Sequence, residues 1–342
     1  MKNYVLYFAK ENQAAILAEP IPEPKGDEVL IKNLMSGISA GTEMLFYRGL
    51  MPKDLCLDAT IPSLQHKLTY PFKYGYCSVG RVIATGNEKL NYLLERLVFV
   101  FNPHESYFCV KEQQIILLPE FISPQDALFI PNMETAINLV LDGSPLIGEN
   151  VLVLGLGIVG LLTTALLQQF PLSTLIGSDL YTKRQELGQA LGAHATFNAT
   201  HPEFLVELKN YLSNLKNSDI DLIYELTGNP DALNAAIALA PYEGRIVLGS
   251  WYGDKPCNID LGGHFHRNRI KVIASQVSSI ASRLQGRWTK ARRFDMVFKM
   301  LAKIKPARFI SHTFPITEAN KAYQLLATNP EETLLVALNY EE

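Results

Sequence analysis

The amino-acid sequence predicts an α/β fold in two parts, a small partly open β-barrel followed by a doubly wound parallel sheet. Three observations predict it. Residues 1 to about 118 carry short β-type runs between Pro and Gly breakers. From residue 150 onward, strand-length and helix-length apolar runs alternate, which implies parallel strands joined by helical crossovers. The chain has 342 residues, 48% of them hydrophobic, which is long enough for roughly two domains and apolar enough to fill their cores.

The same composition excludes other classes. The apolar fraction is too high for a disordered chain. A net charge of −3 is too balanced for a protein devoted to nucleic acid or an anionic membrane. The four cysteines, Cys56, Cys77, Cys109 and Cys257, are scattered and form no CxxC pair, which argues against a disulfide framework and a structural zinc lobe. The opening MKNYVLYFAKENQA interrupts its apolar residues with polar ones, unlike a secretory signal. The apolar stretch 151–167 carries glycines near its start and reads as a buried strand and helix, not a membrane span. A cytoplasmic protein is the expectation.

In the first part, strands are expected at 28–33, 78–84, 97–101 and 114–118. Pro20, Pro22, Pro24, Gly26, Gly37, Gly41 and Gly49 break the chain around and between them. Ser123 caps a helix that has Pro124 at its first position, and an apolar helix then runs through Thr135 to Leu141. Parallel strands follow at 150–154, 174–178, 222–226, 245–248 and 271–274. Helices at 157–170, 183–191, 202–214 and 230–239 separate them. A last helix at 288–303 and a strand at 333–339 fall outside the alternation. The expected domains are 1–125 with 277–342, and 126–276.

Gly155, Gly157 and Gly160 form GxGxxG where an apolar strand meets an apolar helix. Gly155 permits the tight turn. Gly157 leaves room for a pyrophosphate at the helix N-terminus, beside Ile158 and Val159. Gly160 lets the helix pack closely on the sheet. Asp179 ends the second strand, about 20 residues on, where an acid accepts the ribose hydroxyls of a dinucleotide. Its charge favours NAD over NADP. Lys183 and Arg184 lie close by and could accommodate a 2′-phosphate, so NADP stays open.

The chain resembles the medium-chain dehydrogenase/reductase superfamily of zinc-type alcohol dehydrogenases along essentially its whole length. The resemblance rests on 148–160 (GENVLVLGLGIVG), 176–179 (IGSD), Lys183-Arg184, 189–193 (QALGA), 225–230 (ELTGNP), 244–249 (GRIVLG), 310–315 (ISHTFP) and 319–326 (ANKAYQLL). It implies a GroES-like barrel domain for the first part and a Rossmann domain for the second. It places Thr227, Gly228, Gly249 and Ser250 beside the dinucleotide, implies a C-terminal return to the first domain, and sets the active site in a cleft between the domains. It also implies a homodimer, through an edge supplied by 245–273. A closer resemblance is to a zinc-lacking branch that includes the bacteriochlorophyllide hydroxyethyl dehydrogenases. It is carried by 37–43 (GISAGTE), 73–82 (KYGYCSVGRV), 102–104 (NPH), 132–138 (NMETAIN) and 275–279 (SQVSS).

The departure from the zinc enzymes is informative. Where they carry Cys-Gly-Thr-Asp, this chain has Ala40-Gly41-Thr42-Glu43, and where they carry Gly-His-Glu it has Gly75-Tyr76-Cys77. The third ligand position falls near Pro131. Ala and Pro cannot coordinate zinc and Tyr rarely does, so no zinc is expected. Cys77 reads as a packed side chain. His264 and His266 form an HxH pair that on a strand would share one face and could bind a metal, although a surface or interface role is the favoured reading.

Without zinc, hydrogen-bond donors must polarise the substrate oxygen. Thr42 matches the relay hydroxyl of the zinc enzymes. Tyr76 takes a former ligand position, where its hydroxyl either donates to substrate or only fills space. Glu43 could ionise beside the cleft or cap a helix near Met44. His104 titrates in the range of a proton shuttle, and Glu134 is an acid in an apolar helix. Phe46, Tyr47 and Trp251 could line an aromatic wall or simply pack. The basic run from Arg283 through Arg287, Lys290 and Arg292 to Arg293 reads as a solvated helix face, with an anion site as the alternative.

The sequence therefore favours a zinc-independent, NAD-linked oxidoreductase acting on a small alcohol, carbonyl or activated alkene, with no nucleic-acid or membrane partner. A non-catalytic dinucleotide sensor and an NADPH-linked quinone reductase-like enzyme are the competing readings.

Overall fold

The computed structural model describes residues 2–52, 54, 56–58, 60–65, 67–215 and 218–340. The chain divides into two compact units, Met1–Pro131 with Leu301–Glu342, and Asn132–Met300. Among the described residues no helix is long and apolar enough to cross a membrane.

The first unit is built on a seven-stranded mixed sheet. Its spine is Glu28–Ile38, which pairs antiparallel with Ser78–Thr85, Tyr107–Lys111 and Leu335–Asn339. The run expected at 28–33 thus extends to Ile38. At 114–118 only Ile116–Leu117 forms a strand, because Glu112–Gln114 turns as a 3-10 helix and the Gln114 side chain accepts the Lys111 amide. The hairpin of Asn3–Lys10 and Gln13–Glu19, joined by Phe72–Lys73 into a second sheet, was not among the expected strands. Nor was Tyr107–Lys111. Leu335–Asn339 also pairs in parallel with Ile310–Pro315, so two C-terminal strands complete the sheet that the N-terminal chain begins.

A core of Phe8, Phe46, Tyr47, Phe72, Tyr74 and Tyr323 fills this unit, together with aliphatic residues from both ends of the chain. Phe46 and Tyr47 are packing residues there, 1% and 4% exposed, which removes them as an aromatic substrate wall. Trp251 remains 46% exposed. Ser123 caps Pro124–Ala127 as expected, its hydroxyl accepting the Asp126 amide at 3.0 Å.

The second unit is a six-stranded, all-parallel sheet in the order Ala195–Asn198, Thr174–Asp179, Asn150–Leu154, Leu222–Glu225, Arg245–Leu248, Lys271–Ala274. The order reverses around Asn150–Leu154, as in a doubly wound fold. Asn150–Leu154 and Thr174–Asp179 are buried throughout, as expected of strands covered on both faces. Ala195–Asn198 is the strand the sequence concealed, since all four of its residues are only partly buried.

Two expectations are corrected here. The basic run is not a uniform solvated face. Arg283, Arg287, Lys290 and Arg292 are exposed, but Arg293 is fully buried. It donates to Glu134 at 2.5 Å, to Asn138 at 2.7 Å and to the Val277 carbonyl at 2.6 Å. Glu134 is therefore the partner of a buried guanidinium. Burial raises its pKa, and Arg293 opposes that shift. The two compact units divide at 131/132 and 300/301, beside the expected 125/126 and 276/277, and Arg293 ties residues 277–279 to the second unit. The second correction concerns only the strand geometry of the HxH pair: both residues are exposed, in keeping with a surface role, but they lie in a short helix, His264–Arg267, with the His264 ring on the Ala240 carbonyl at 2.9 Å. Residues two apart on a helix do not share a face.

Removing one partner of a buried ion pair strands the other. Arg293→Leu is expected to destabilise the protein by about 3–5 kcal/mol. An unchanged urea midpoint would show that the pair contributes nothing.

Candidate active site

In the second unit, Asn150–Leu154 leads into Gly155, whose φ of +90° suits glycine. A side chain there would meet the Leu226 carbonyl carbon at 2.7 Å. Gly157 precedes the helix Ile158–Leu167 and faces open space. A Cβ on Gly160 would lie 1.9 Å from the Gly155 carbonyl oxygen, so helix and turn touch backbone to backbone. Ile158 and Val159 form the helix's first turn.

Asp179 ends its strand 6% exposed. It accepts the Leu156 amide at 2.8 Å and the Tyr181 amide at 3.0 Å, which joins the glycine turn to the next helix. Arg184 stacks over Tyr181 and approaches Asp179 at 3.8 Å, while Lys183 is exposed. An ionised carboxylate has about four acceptor sites. The two amides leave capacity for further donors.

Glu225, at the end of the neighbouring strand, was not singled out from the sequence. It is fully buried and accepts the Thr227 amide at 2.9 Å, the Thr227 hydroxyl, and the Tyr252 hydroxyl at 2.7 Å. Ser250 accepts the Gly228 amide at 2.8 Å, and Lys255 donates to the Gly228 carbonyl at 2.7 Å. Gly249 approaches Leu226 and Leu139 too closely for a side chain. Thr227, Gly228, Gly249 and Ser250 thus form one braced strand-end cluster. An acid at a strand end, two residues before Thr-Gly, was the available signal.

In the first unit, Thr42 opens the helix Thr42–Tyr47 and is half-buried. Tyr76 is half-buried, and its hydroxyl interacts with the side chains of Ser39 and Thr42. Burial raises the Tyr76 pKa and the Ser39 interaction opposes it. The net rise keeps the proton on the phenol.

Glu43 and His104 are brought together beneath this cluster, both 0% exposed. Glu43 accepts the Ser39 amide at 2.8 Å, His104 Nε2 lies 3.0 Å from it, and the Tyr323 hydroxyl donates to it at 2.5 Å. His104 Nδ1 lies 2.7 Å from Ser36 Oγ, itself 2.7 Å from the Tyr340 hydroxyl. Glu43 binds the loop before the helix instead of capping it, and neither it nor His104 faces solvent. Ser36, Tyr323 and Tyr340 were missed. Tyr323 stands 280 residues from Glu43, beyond the reach of any local pattern.

The former zinc-ligand positions offer poor metal chemistry. Ala40 and Pro131 have no donor atom, and the Tyr76 hydroxyl is engaged. The Cys77 thiol donates to the Leu128 carbonyl at 3.1 Å, and burial pushes its pKa up to about 12, far from a coordinating thiolate. Among the described residues no group of three or more His, Cys, Asp or Glu could hold a metal ion. These residues do not fit a zinc ion, whereas the glycine turn with Asp179 fits a dinucleotide.

A doubly wound sheet with this turn, beside a separate mixed sheet, is the architecture of two-domain Rossmann-type dehydrogenases. Residues 159–296 match the family described as zinc-binding dehydrogenase. The starvation-sensing protein RspB of Escherichia coli (strain K12) is 25% identical over 373 residues, covering 98% of this chain and 99% of its own. The L-threonine 3-dehydrogenase of Legionella pneumophila (strain Corby) is 24% identical over 226 residues, 65% of this chain and 61% of its own. A solved structure of the alcohol dehydrogenase rspB from E. coli CFT073, complexed with NADH, superposes with a TM-score of 0.79 at 22% identity and covers 99% of both chains. These likenesses support the zinc-type alcohol dehydrogenase-like superfamily and, with it, an NAD(P)-dependent oxidoreductase.

Gly160→Ala is expected to cost about 1–3 kcal/mol in thermal unfolding and to weaken NADH binding in calorimetry. Unchanged melting and affinity would mean that the turn has room to spare.

Proposed function

We propose that the protein is a zinc-independent, NAD-linked oxidoreductase that interconverts a small alcohol and its carbonyl. One observation carries the reading: the Tyr76 phenol lies among the Ser39 and Thr42 side chains at a position where the zinc enzymes hold a ligand. The bound nicotinamide would supply the hydride chemistry. Gly155, Gly157 and Gly160, with the amides of Ile158 and Val159, would cradle the pyrophosphate. Asp179 would accept the ribose hydroxyls with its remaining acceptor sites. Thr227, Gly228, Gly249 and Ser250 would support the nicotinamide end. Tyr76 would donate a hydrogen bond to the substrate oxygen, and Thr42 would hold the phenol in orientation. The lost ligands agree with the zinc-lacking branch that the sequence resembles.

Arg184 favours a second reading, in which NADPH binds, because a guanidinium beside Asp179 could meet a 2′-phosphate. A cytoplasmic homodimer belongs to the same proposal. The strand Lys271–Ala274 ends the parallel sheet, with Val272 39% exposed, and would be the pairing edge.

Calorimetry is expected to show NADH bound about tenfold tighter than NADPH, and Asp179→Ser to erase the difference; tighter NADPH binding would reverse the cofactor assignment. In a panel of L-threonine and simple polyols with NAD, turnover should survive chelation, with no stoichiometric zinc by mass spectrometry. Tyr76→Phe should lower kcat about 100-fold, and full turnover would remove Tyr76 from the mechanism. Binding of NADH with no turnover of any alcohol or carbonyl would favour a sensor. Light scattering should give a mass twice the 38.2 kDa of one chain.

A further inference from the structure

Glu43 and His104 do not reach the surface, so neither can touch a substrate. Their contacts nevertheless form one chain. Tyr340 and Ser36 share a hydrogen bond in which either hydroxyl can be the donor. Ser36 Oγ in turn meets His104 Nδ1, and His104 Nε2 faces Glu43. Glu43 receives three donors, the Ser39 amide, His104 Nε2–H and the Tyr323 hydroxyl. The chain of contacts thus runs from Tyr340 through Ser36 and His104 to Glu43 without a break.

The same groups grip Tyr76 from two sides. Glu43 fixes the Ser39 backbone, and the Ser39 and Thr42 side chains meet the Tyr76 hydroxyl. The His104 ring lies against Gly75, where φ is +123° and a Cβ would sit 2.6 Å from His104 Cδ2. The His104 amide donates to the Tyr74 carbonyl at 3.2 Å. The backbone on the N-terminal side of Tyr76 and the hydroxyl at its tip are both set by one buried cluster.

We propose that Glu43, His104 and Tyr323 are positioning residues that hold the Tyr76 hydroxyl at its working point. This inference rests on the proposed role of Tyr76. In Glu43→Gln the new amide group would face a donor in either orientation, so the cluster must rearrange. Tyr323→Phe removes one donor and introduces none, which makes it the gentler variant should Glu43→Gln fail to fold.

The test is a double-mutant cycle with NAD and the best alcohol of the panel. Tyr323→Phe and Glu43→Gln are each expected to lower kcat, Glu43→Gln by about 100-fold, with the NADH Kd unchanged. Combined with Tyr76→Phe, neither should slow the enzyme further, because the group they position is already gone. Losses that multiply in the double variant, or wild-type kcat in Tyr323→Phe beside a slowed Tyr76→Phe, would overturn the inference alone. Full turnover in Tyr76→Phe would instead remove the reading on which it rests.

Discussion

A carboxylate taken out of water must be met by donors, and the organisation of this protein follows from that demand. Glu43 and Glu225 are 0% exposed, and Asp179 and Glu134 are 6% exposed. Each gathers a loop around itself. Asp179 collects the amides of Leu156 and Tyr181, so the glycine turn and the next helix share one anchor. Glu225 collects Thr227 and Tyr252 and braces the following strand end. Glu43 collects Ser39, His104 and Tyr323, and Glu134 takes Arg293. The apolar cores supply stability, while the buried acids decide which loop conformations that stability selects.

The chain's likeness to zinc-type dehydrogenases meets, at the expected ligand positions, residues that fit zinc poorly. Ala40 and Pro131 lack donors, and Cys77 is held as a neutral thiol against Leu128. What occupies the region instead is a layered arrangement. Half-buried hydroxyls of Ser39, Thr42 and Tyr76 lie above a fully buried acid and imidazole. Such a layer can present a proton whose pKa is raised by burial, which suits hydrogen-bond donation to an oxygen better than nucleophilic attack.

Much of this was legible in the sequence where the determinants are local. The strands Asn150–Leu154, Arg245–Leu248 and Lys271–Ala274 end where their apolar runs end. The glycine turn and Asp179 were readable because each glycine answers a steric demand within a few residues. What failed was non-local. Arg293 looked like one more exposed base because its partner, Glu134, is 159 residues away. Ala195–Asn198 carries too little apolar signal to announce itself. Glu43 and His104 were legible as chemistry but not as geometry. Their burial and their links to Ser36, Tyr323 and Tyr340 exist only in the folded chain.

The two-ended construction of the first unit bears on the order in which the protein is made. Its spine, Glu28–Ile38, waits for Leu335–Asn339, and Glu43 waits for Tyr323. On the ribosome, the nucleotide-type sheet of residues 132–300 is wholly synthesised before either partner exists. Until then Glu28–Ile38 in the first unit lacks its Leu335–Asn339 partner, and the Glu43 carboxylate lacks one of its three donors. A chain truncated before residue 323 would thus carry the whole of residues 132–300 but lack the Tyr323 donor to Glu43, and with it one support of the proposed hydroxyl site.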